Sequence, residues 1–138
     1  MGSRLSKAYL LTKVLTANRQ EVIVYLYEGA IGYLHRAASS LREGHLDVAS
    51  RAIDRTVSIL VELSGSLNYA TGGRLALRLD GIYNYLIETL CLAGGEGNIE
   101  AVEACESILV VLHDAWSQAA QMEGAQAPRD ETRLQVSA

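Results

Sequence analysis

The 138-residue sequence contains no phenylalanine, a single proline at position 128 and only two cysteines. Because proline is absent from residues 1–127, nothing in that stretch forbids long helices. Cys91 and Cys105 lie in apolar, periodic stretches and form no C-x-x-C pair, so we expect reduced thiols in a core, without a disulfide framework or a zinc site. Basic residues are also scarce. The net charge is -4 and the pI is about 5.3, which argues against binding nucleic acid through phosphate neutralisation.

Motifs with catalytic or metal-binding spacing are missing as well. None of His35, His45 and His113 has a glutamate three residues before it, as the di-iron sites of helical bundles require, and all three are expected to be solvated. The glycine-rich stretch 94–97 lacks the Lys-Ser/Thr pair of a phosphate-binding loop and is interpreted as a helix connector. We therefore expect no cofactor and no metal, and an enzyme is the weakest functional hypothesis.

Long apolar runs are missing too, since no run approaches the roughly 18 residues that cross a membrane. No signal-peptide pattern is present at the N-terminus. We expect no stable membrane insertion and a location inside the cell.

The residues that are present favour helices, and four long ones are predicted. Asn18 is the expected N-terminal cap of the first helix, with Glu21 as its reciprocal partner, and Gly44-His45 should end it. The other three predicted helices run from a cap at Asp47 to about Asn68, from about Arg74 to Ala93, and from a cap at Asn98 to about Glu123, with turns at 69–73 and 94–97.

Because the connections are short, neighbouring helices are expected to pack antiparallel. The predicted fold class is therefore all-α, an antiparallel up-and-down four-helix bundle over residues 18–123. Residues 1–17 form a short extra N-terminal helical segment in this prediction, and the polar residues 124–138 a disordered tail.

The helices carry more apolar surface than a bundle needs. In the stretch VIVYLYEGAIGYL (22–34), which opens the first helix, only Glu28 and two glycines interrupt apolar and aromatic residues. The apolar arc of that helix spans roughly 200°, against the roughly 140° that two bundle neighbours would cover. Leu75 on the third helix is predicted to face inward. On the fourth helix, Ala104, Val111 and Ala115 are predicted to point to the core, with Val102, Leu109 and Trp116 on the flank.

Two interpretations of the surplus remain. It could consist of wide core faces with a few ordinary exposed residues. We favour a protein-binding surface, for which another amphipathic helix is the natural ligand.

Four segments carry a family resemblance. TANRQEVIVYLYEGAIGYL, RAIDRTVSILVELSGSLNY, LALRLDGIYNYLIETL and ILVVLHDAW follow one another in this order. Together they resemble the flagellar secretion chaperones of the FliS family over about residues 9–116. The most specific pieces are Leu26-Tyr27-Glu28-Gly29-Ala30, the run from Ile59 to Leu67, the pair Tyr83 and Tyr85, and the closing Ala115-Trp116.

The resemblance implies a helical bundle in the bacterial cytosol that is not an enzyme. It implies binding to the C-terminal helices of flagellin, protection against premature polymerisation, and delivery to the flagellar type III export apparatus, where the gate protein FlhA recognises the loaded chaperone. It also implies an N-terminal segment that covers the groove when the client is absent, and Tyr9, Leu10 and Val14 match that segment.

The client groove is predicted to lie between the first two long helices. The expected partner-binding residues are Tyr9, Leu10, Val14, Ile23, Leu26, Tyr27, Ala30, Ile53, Val57, Leu60 and Val61. The competing hypothesis is a structural bundle without a client, which self-associates, for instance as a homodimer, through the same patch.

Overall fold

The computed structural model describes residues 19–125, and this part of the chain forms four helices. They are α1 (Arg19–Arg42), α2 (Leu46–Gly65), α3 (Tyr69–Glu96) and α4 (Ile99–Ala125). The all-α prediction is confirmed. The predicted cap Asn18, the N-terminal segment and residues 126–138 lie outside the described residues.

Side-chain pairs between helices show that neighbours run antiparallel. From α1 to α4, Arg42 bonds to Glu103 and Glu28 bonds to His113, so the numbers rise on one helix as they fall on the other. From α2 to α3, Ser64 bonds to Asp80. α1 packs extensively on α2 and α4, α3 packs on the same two helices less extensively, and the backbones of α1 and α3 stay apart. The arrangement is the predicted up-and-down bundle.

In the connection between α1 and α2, a glycine terminates α1. Gly44 has a positive φ of 78°. The N–H of His45 donates to the carbonyl of Ser40 at 2.8 Å, which satisfies one of the last free carbonyls of α1. The predicted end at Gly44-His45 is confirmed. The predicted cap at Asp47 is wrong, because α2 begins at Leu46 with His45 in the capping position. Asp47 lies in the first turn, where its charge favours the helix N-terminus.

Both predicted turns around α3 are largely helical, which corrects two boundaries. Residues 69–72 begin α3, and the axis bends at Gly73, whose φ of 50° and ψ of -122° leave the helical region. Gly94 and Gly95 continue the helix to Glu96. Packing explains the second extension, since a Cβ atom on Gly94 would lie 3.5 Å from Cδ1 of Ile53 on α2.

The break between α3 and α4 is at Gly97, which has a φ of 65°. The next residue, Asn98, caps α4. Oδ1 of Asn98 accepts a hydrogen bond from the N–H of Ala101 at 3.1 Å, which satisfies one of the free donors at the start of the helix. The predicted cap at Asn98 is confirmed.

The bundle core is built mainly from leucines, alanines and two tyrosines. Its largest members include Tyr27 and Leu34 of α1, Leu60 of α2, and Tyr83 and Leu86 of α3, each at most 1% exposed. This aliphatic core, with tyrosine in place of phenylalanine, holds the four helices at fixed orientations.

The buried face of α4 differs from the predicted one. Val102, Cys105 and Leu109 are at most 1% exposed, whereas Val111 is 68% exposed. Ala104 and Ala115, also predicted to be inward, are exposed. The predicted face and the buried face are both apolar at heptad spacing and lie one residue, or roughly 100°, apart, so apolarity could not choose between them.

Leu75 is a further correction, since it is 59% exposed. It lies just beyond the bend at Gly73, on a flank of α3 at the open end of the bundle, where none of the other three described helices covers it.

Candidate partner-binding surface

A single hydrogen bond fixes which flank of α3 faces α2. The hydroxyl of Ser64 donates to Oδ1 of Asp80 at 2.6 Å. At roughly 100° per residue, the positions 75, 78, 82, 85, 89 and 92 lie on the opposite flank of α3. Because the other neighbour of α3 is α4, this opposite flank faces α4 and the solvent above it.

Three contacts orient α4 in the same way. Glu103, Glu106 and His113 of α4 pair with Arg42, His35 and Glu28 of α1, respectively. The opposite flank of α4, at positions 101, 104, 108, 111, 115, 119 and 122, therefore faces α3 and the solvent above it. Each of these seven residues is apolar.

The two flanks together form one apolar surface, which we call the α3–α4 face. Leu92 is 67% exposed, Tyr85 59%, and Val111 and Met122 more than 60%. Ile82 and Ile108 are partly buried and join the face to the core. The members of the face are Leu75, Ile82, Tyr85 and Leu92 of α3 and Ala104, Ile108, Val111, Ala115 and Met122 of α4. From Leu75 to Leu92 the face runs about 25 Å, or about five turns of a helix.

A cavity of about 380 Å³ opens at the end of the bundle where α1 begins. The apolar residues of its wall include Ile23, Leu63, Leu67, Leu79 and Leu75. Leu75 belongs both to this end cavity and to the α3–α4 face, so the two surfaces are continuous.

A hydrogen-bonded aromatic trio lies at the base of the end cavity. The hydroxyls of Tyr27 and Tyr83 bond to each other, and Nε1 of Trp116 donates to the Tyr27 hydroxyl at 3.2 Å. Burial, followed by the hydrogen bond to Tyr83, raises the pKa of Tyr27, and burial also raises the pKa of Tyr83. Both phenols therefore stay neutral near pH 7, and this part of the cavity is polar without being charged.

The opposite seam, between α1 and α4, is ionic. Nε2 of His113 lies 3.0 Å from Oε2 of Glu28. Burial lowers the pKa of His113, but the hydrogen bonds to Glu28 and Asp114 outweigh it and the net shift is upward. His35 is exposed and pairs with Glu106 at 3.5 Å, and His45 is exposed in its turn. This seam offers charged groups and lacks the continuous apolar stripe found between α3 and α4.

The predicted partner-binding residues do not come together between α1 and α2. Four of them, Tyr27, Ala30, Ile53 and Leu60, are at most 3% exposed and belong to the core. Ile23, Leu26 and Val57 are half-buried, and Val61 is 55% exposed. Tyr9, Leu10 and Val14 lie outside the described residues. Partner binding by these eleven residues remains a prediction.

Close packing explains why no groove opens at the predicted position. A Cβ atom on Gly29 would lie 3.6 Å from Cδ1 of Ile59, and the guanidinium of Arg55 covers the ring of Tyr33 at 5.8 Å. The α1–α2 seam is thus closed. Val57 and Val61 share the flank of α2 that carries Ser64, which faces α3.

Sequence reasoning misses the residues of the α3–α4 face as a group. The helical pattern assigns Val111, Ala104 and Ala115 to the core, although all three are exposed. The polar residues of α4 carry the missing signal, because Glu103, Glu106 and His113 recur at the spacing of one polar flank.

Two kinds of site are not found between residues 19 and 125. No group of three or more His, Cys, Asp or Glu side chains there is arranged to hold a metal ion. None of the four helices combines the length and hydropathy of a membrane span.

The model of the flagellar protein FliS family matches residues 1–123. The chain belongs to the FliS family. It is 30% identical over 111 residues to the flagellar secretion chaperone FliS of Campylobacter jejuni, covering 80% of this chain and 87% of that protein. It is 29% identical over 106 residues to the Salmonella typhimurium protein of the same name, covering 76% and 78%.

The fold of this FliS-family chain has a solved counterpart. The crystal structure of a bacterial flagellar chaperone superposes with a TM-score of 0.72 at 19% identity, over 89% of this chain and all of that one. The likeness supports the helical bundle. The chain therefore belongs to a family whose named relatives are flagellar secretion chaperones.

Proposed function

We propose that this FliS-family protein is a cytoplasmic export chaperone that binds the C-terminal segment of flagellin. In this role it keeps flagellin from polymerising prematurely and delivers it to the flagellar type III export apparatus, where the gate protein FlhA receives the complex. The protein acts by binding alone, without catalysis or a cofactor.

The observation that carries the proposal is the exposure of the α3–α4 face. Leu75, Tyr85, Leu92, Val111 and Met122 are each between 59% and 68% exposed on one side of the molecule. A monomeric protein rarely leaves a contiguous apolar surface of this kind open without a binding role. A helix carrying apolar residues at i, i+3, i+4 and i+7 fits such a surface.

The size of the α3–α4 face suits a client that is disordered before it binds. A disordered segment loses conformational entropy when it is ordered on a partner, so it needs a large buried area to bind. At about 25 cal/mol per Å² of apolar area, a face five turns long offsets part of that cost and leaves the complex reversible. Reversibility is required if the client is to be released for export.

We further propose that residues 1–17 act as a displaceable lid. Arg19, the first described residue, lines the end cavity beside Ile23, and its guanidinium donates to the carbonyl of Ser66 at 2.6 Å. The start of α1 therefore lies at the mouth of the cavity, which Leu75 also lines. Deleting residues 1–17 should change the affinity for the flagellin segment, and an unchanged affinity would exclude the lid.

The central test is titration calorimetry of the full chain with the flagellin C-terminal segment. We expect one-to-one binding by the wild type. Val111→Asp should weaken it by at least about ten-fold, since an unpaired carboxylate buried under the client costs well over 1.4 kcal/mol.

Val61→Asp is the matched comparison, because Val61 is a comparably exposed valine on α2 that belongs to the residues predicted from the sequence and lies away from the α3–α4 face. If Val61→Asp has the larger effect, the client binds on the α2 side and the chaperone function stands with a different site. If the wild type does not bind the flagellin segment, the proposed function is wrong. Light scattering addresses the structural alternative, because a dimer that persists when the flagellin segment is added would favour self-association.

A further inference from the structure

The two ends of the α3–α4 face carry opposite charges. Arg78 and Glu96 continue the same flank of α3 as Ile82, Tyr85 and Leu92, at alternating spacings of three and four residues. Arg74 lies one turn before Arg78, at the end of the face near the cavity. Glu100 lies four residues before Ala104, at the end of the face near the α3–α4 connection.

These four charges are available to a partner. Arg74, Arg78, Glu96 and Glu100 are all exposed. None of them forms an ion pair with another residue of the described range 19–125. Arg42 and Glu103, by contrast, pair with each other between α1 and α4.

A bound helix would interact with the opposite charges at the two ends of the face through its own backbone dipole. A helix carries about half a positive charge at its N-terminus and about half a negative charge at its C-terminus. Glutamates therefore favour the N-terminus and arginines the C-terminus of a helix lying along the face.

From this polarity we infer that the α3–α4 face binds its partner helix in one direction only. The N-terminus of the partner lies over Glu96 and Glu100, and its C-terminus lies over Arg74 and Arg78. The partner runs antiparallel to α3 and parallel to α4. The part of the partner that lies on this face is an amphipathic helix of about 17 residues, since the apolar part of the face is about 25 Å long. The inference rests on the proposed function, because the flagellin segment supplies that helix.

The direction can be measured by nuclear magnetic resonance on the full chain with labelled leucine methyl groups. Flagellin C-terminal segments are prepared with one nitroxide each, at successive positions along the sequence. Each label broadens the methyl signals near it, so the label nearest Leu92 and the label nearest Leu75 can be identified. We expect the label nearest Leu92 to be the more N-terminal one.

Two outcomes of this experiment would overturn the inference. The reverse order of the labels would show the opposite direction. Binding without broadening at either Leu75 or Leu92 would show that the client lies elsewhere, although the chaperone function would stand. Failure of the unlabelled segment to bind in the preceding calorimetry would remove the proposed function as well, which distinguishes the two failures.

A charge reversal tests the electrostatic cause. Arg78→Glu should weaken binding by about three- to thirty-fold at low salt, because it removes one favourable charge at the helix end and adds one unfavourable charge. The loss should shrink as salt is added, because the charge is exposed. Arg36→Glu is the control, since Arg36 is an exposed arginine on α1, away from the face. Equal effects of the two substitutions would contradict a role for Arg78 in orienting the partner.

Discussion

Tyr27 and Tyr83 bond through their hydroxyl groups across the diagonal of the bundle. They link α1 and α3, whose backbones do not approach one another. The Tyr27 hydroxyl also accepts the hydrogen bond from Trp116, so it joins three of the four helices. This one oxygen atom is the centre of the polar interior.

Tyr27→Phe should lower the free energy of unfolding by about 1–3 kcal/mol, because it leaves the Trp116 N–H and the Tyr83 hydroxyl without this partner. Tyr83→Phe should cost less, since the bond from Trp116 to Tyr27 survives. Urea unfolding followed by the fluorescence of Trp116 measures both. Tyr85→Phe is the control and should change little, because Tyr85 is 59% exposed. Equal costs for Tyr27→Phe and Tyr85→Phe would contradict the proposed centre.

The two glycines near the end of α3 should respond to alanine in opposite ways. Gly94→Ala should stabilise the protein by about 0.5–1 kcal/mol, since alanine favours helix and its Cβ would meet Ile53 at an ordinary contact distance of 3.5 Å. Gly97→Ala should destabilise it by about 1–2 kcal/mol, because the φ of 65° at Gly97 strains a residue with a Cβ. Thermal unfolding of the pair measures the difference. Shifts of the same sign would contradict the assigned end of α3.

His113 should add stability at low pH. Its pKa is raised in the folded state, despite the opposing effect of burial, by the hydrogen bonds to Glu28 and Asp114. A raised pKa means that the folded state binds the proton more tightly than the unfolded state does. The contribution is therefore complete below the ordinary histidine pKa of about 6.5, and it disappears as the pH rises through the raised value.

Glu28→Gln should lower the pKa of His113 and remove much of this pH dependence. Proton titration of the imidazole by nuclear magnetic resonance gives the pKa, and urea unfolding at pH 5.5 and pH 9 gives the stability. A stability difference between wild type and Glu28→Gln that grows toward pH 9 would have the wrong sign.

The two thiols should differ sharply in reactivity. Cys91 is exposed, whereas Cys105 is 1% exposed and burial raises its pKa to about 11. A thiol reagent should modify one cysteine rapidly in the folded protein and the second only after denaturant is added. Cys91→Ser should abolish the rapid phase and leave the slow one. Rapid reaction of Cys105 in the native protein would contradict the assigned core face of α4.

Helix formation can be predicted from local signals. The cap at Asn98 and the glycine end at Gly44 depend on residues within a few positions, and the structure confirms both. The extension of α3 through Gly94 cannot be predicted in this way, because it depends on Ile53, which is remote in sequence. The predicted cap at Asp47 is wrong for a smaller reason, a shift of two residues in the start of α2.

The rotation of α4 is the main difference between sequence and structure, and it displaces the candidate site. Apolar residues surround most of this helix, so its sequence allows two core faces that are one residue apart. Pairing with α1 through Glu103 and His113 selects the face with Leu109, and Val111 then points outward. The surplus of apolar surface can be predicted from the sequence, while its position between α3 and α4 requires the tertiary contacts.

The connection between α3 and α4 consists of Gly97 and Asn98 alone. With so short a link, the two helices cannot slide along one another, so the α3–α4 face is already rigid before the proposed partner binds. Most of the conformational entropy lost on binding is then that of the partner. Under the proposed function, substitutions in flagellin that raise its intrinsic helicity should lengthen the lifetime of the complex without any change in the chaperone, so the flagellin sequence would set the rate of release.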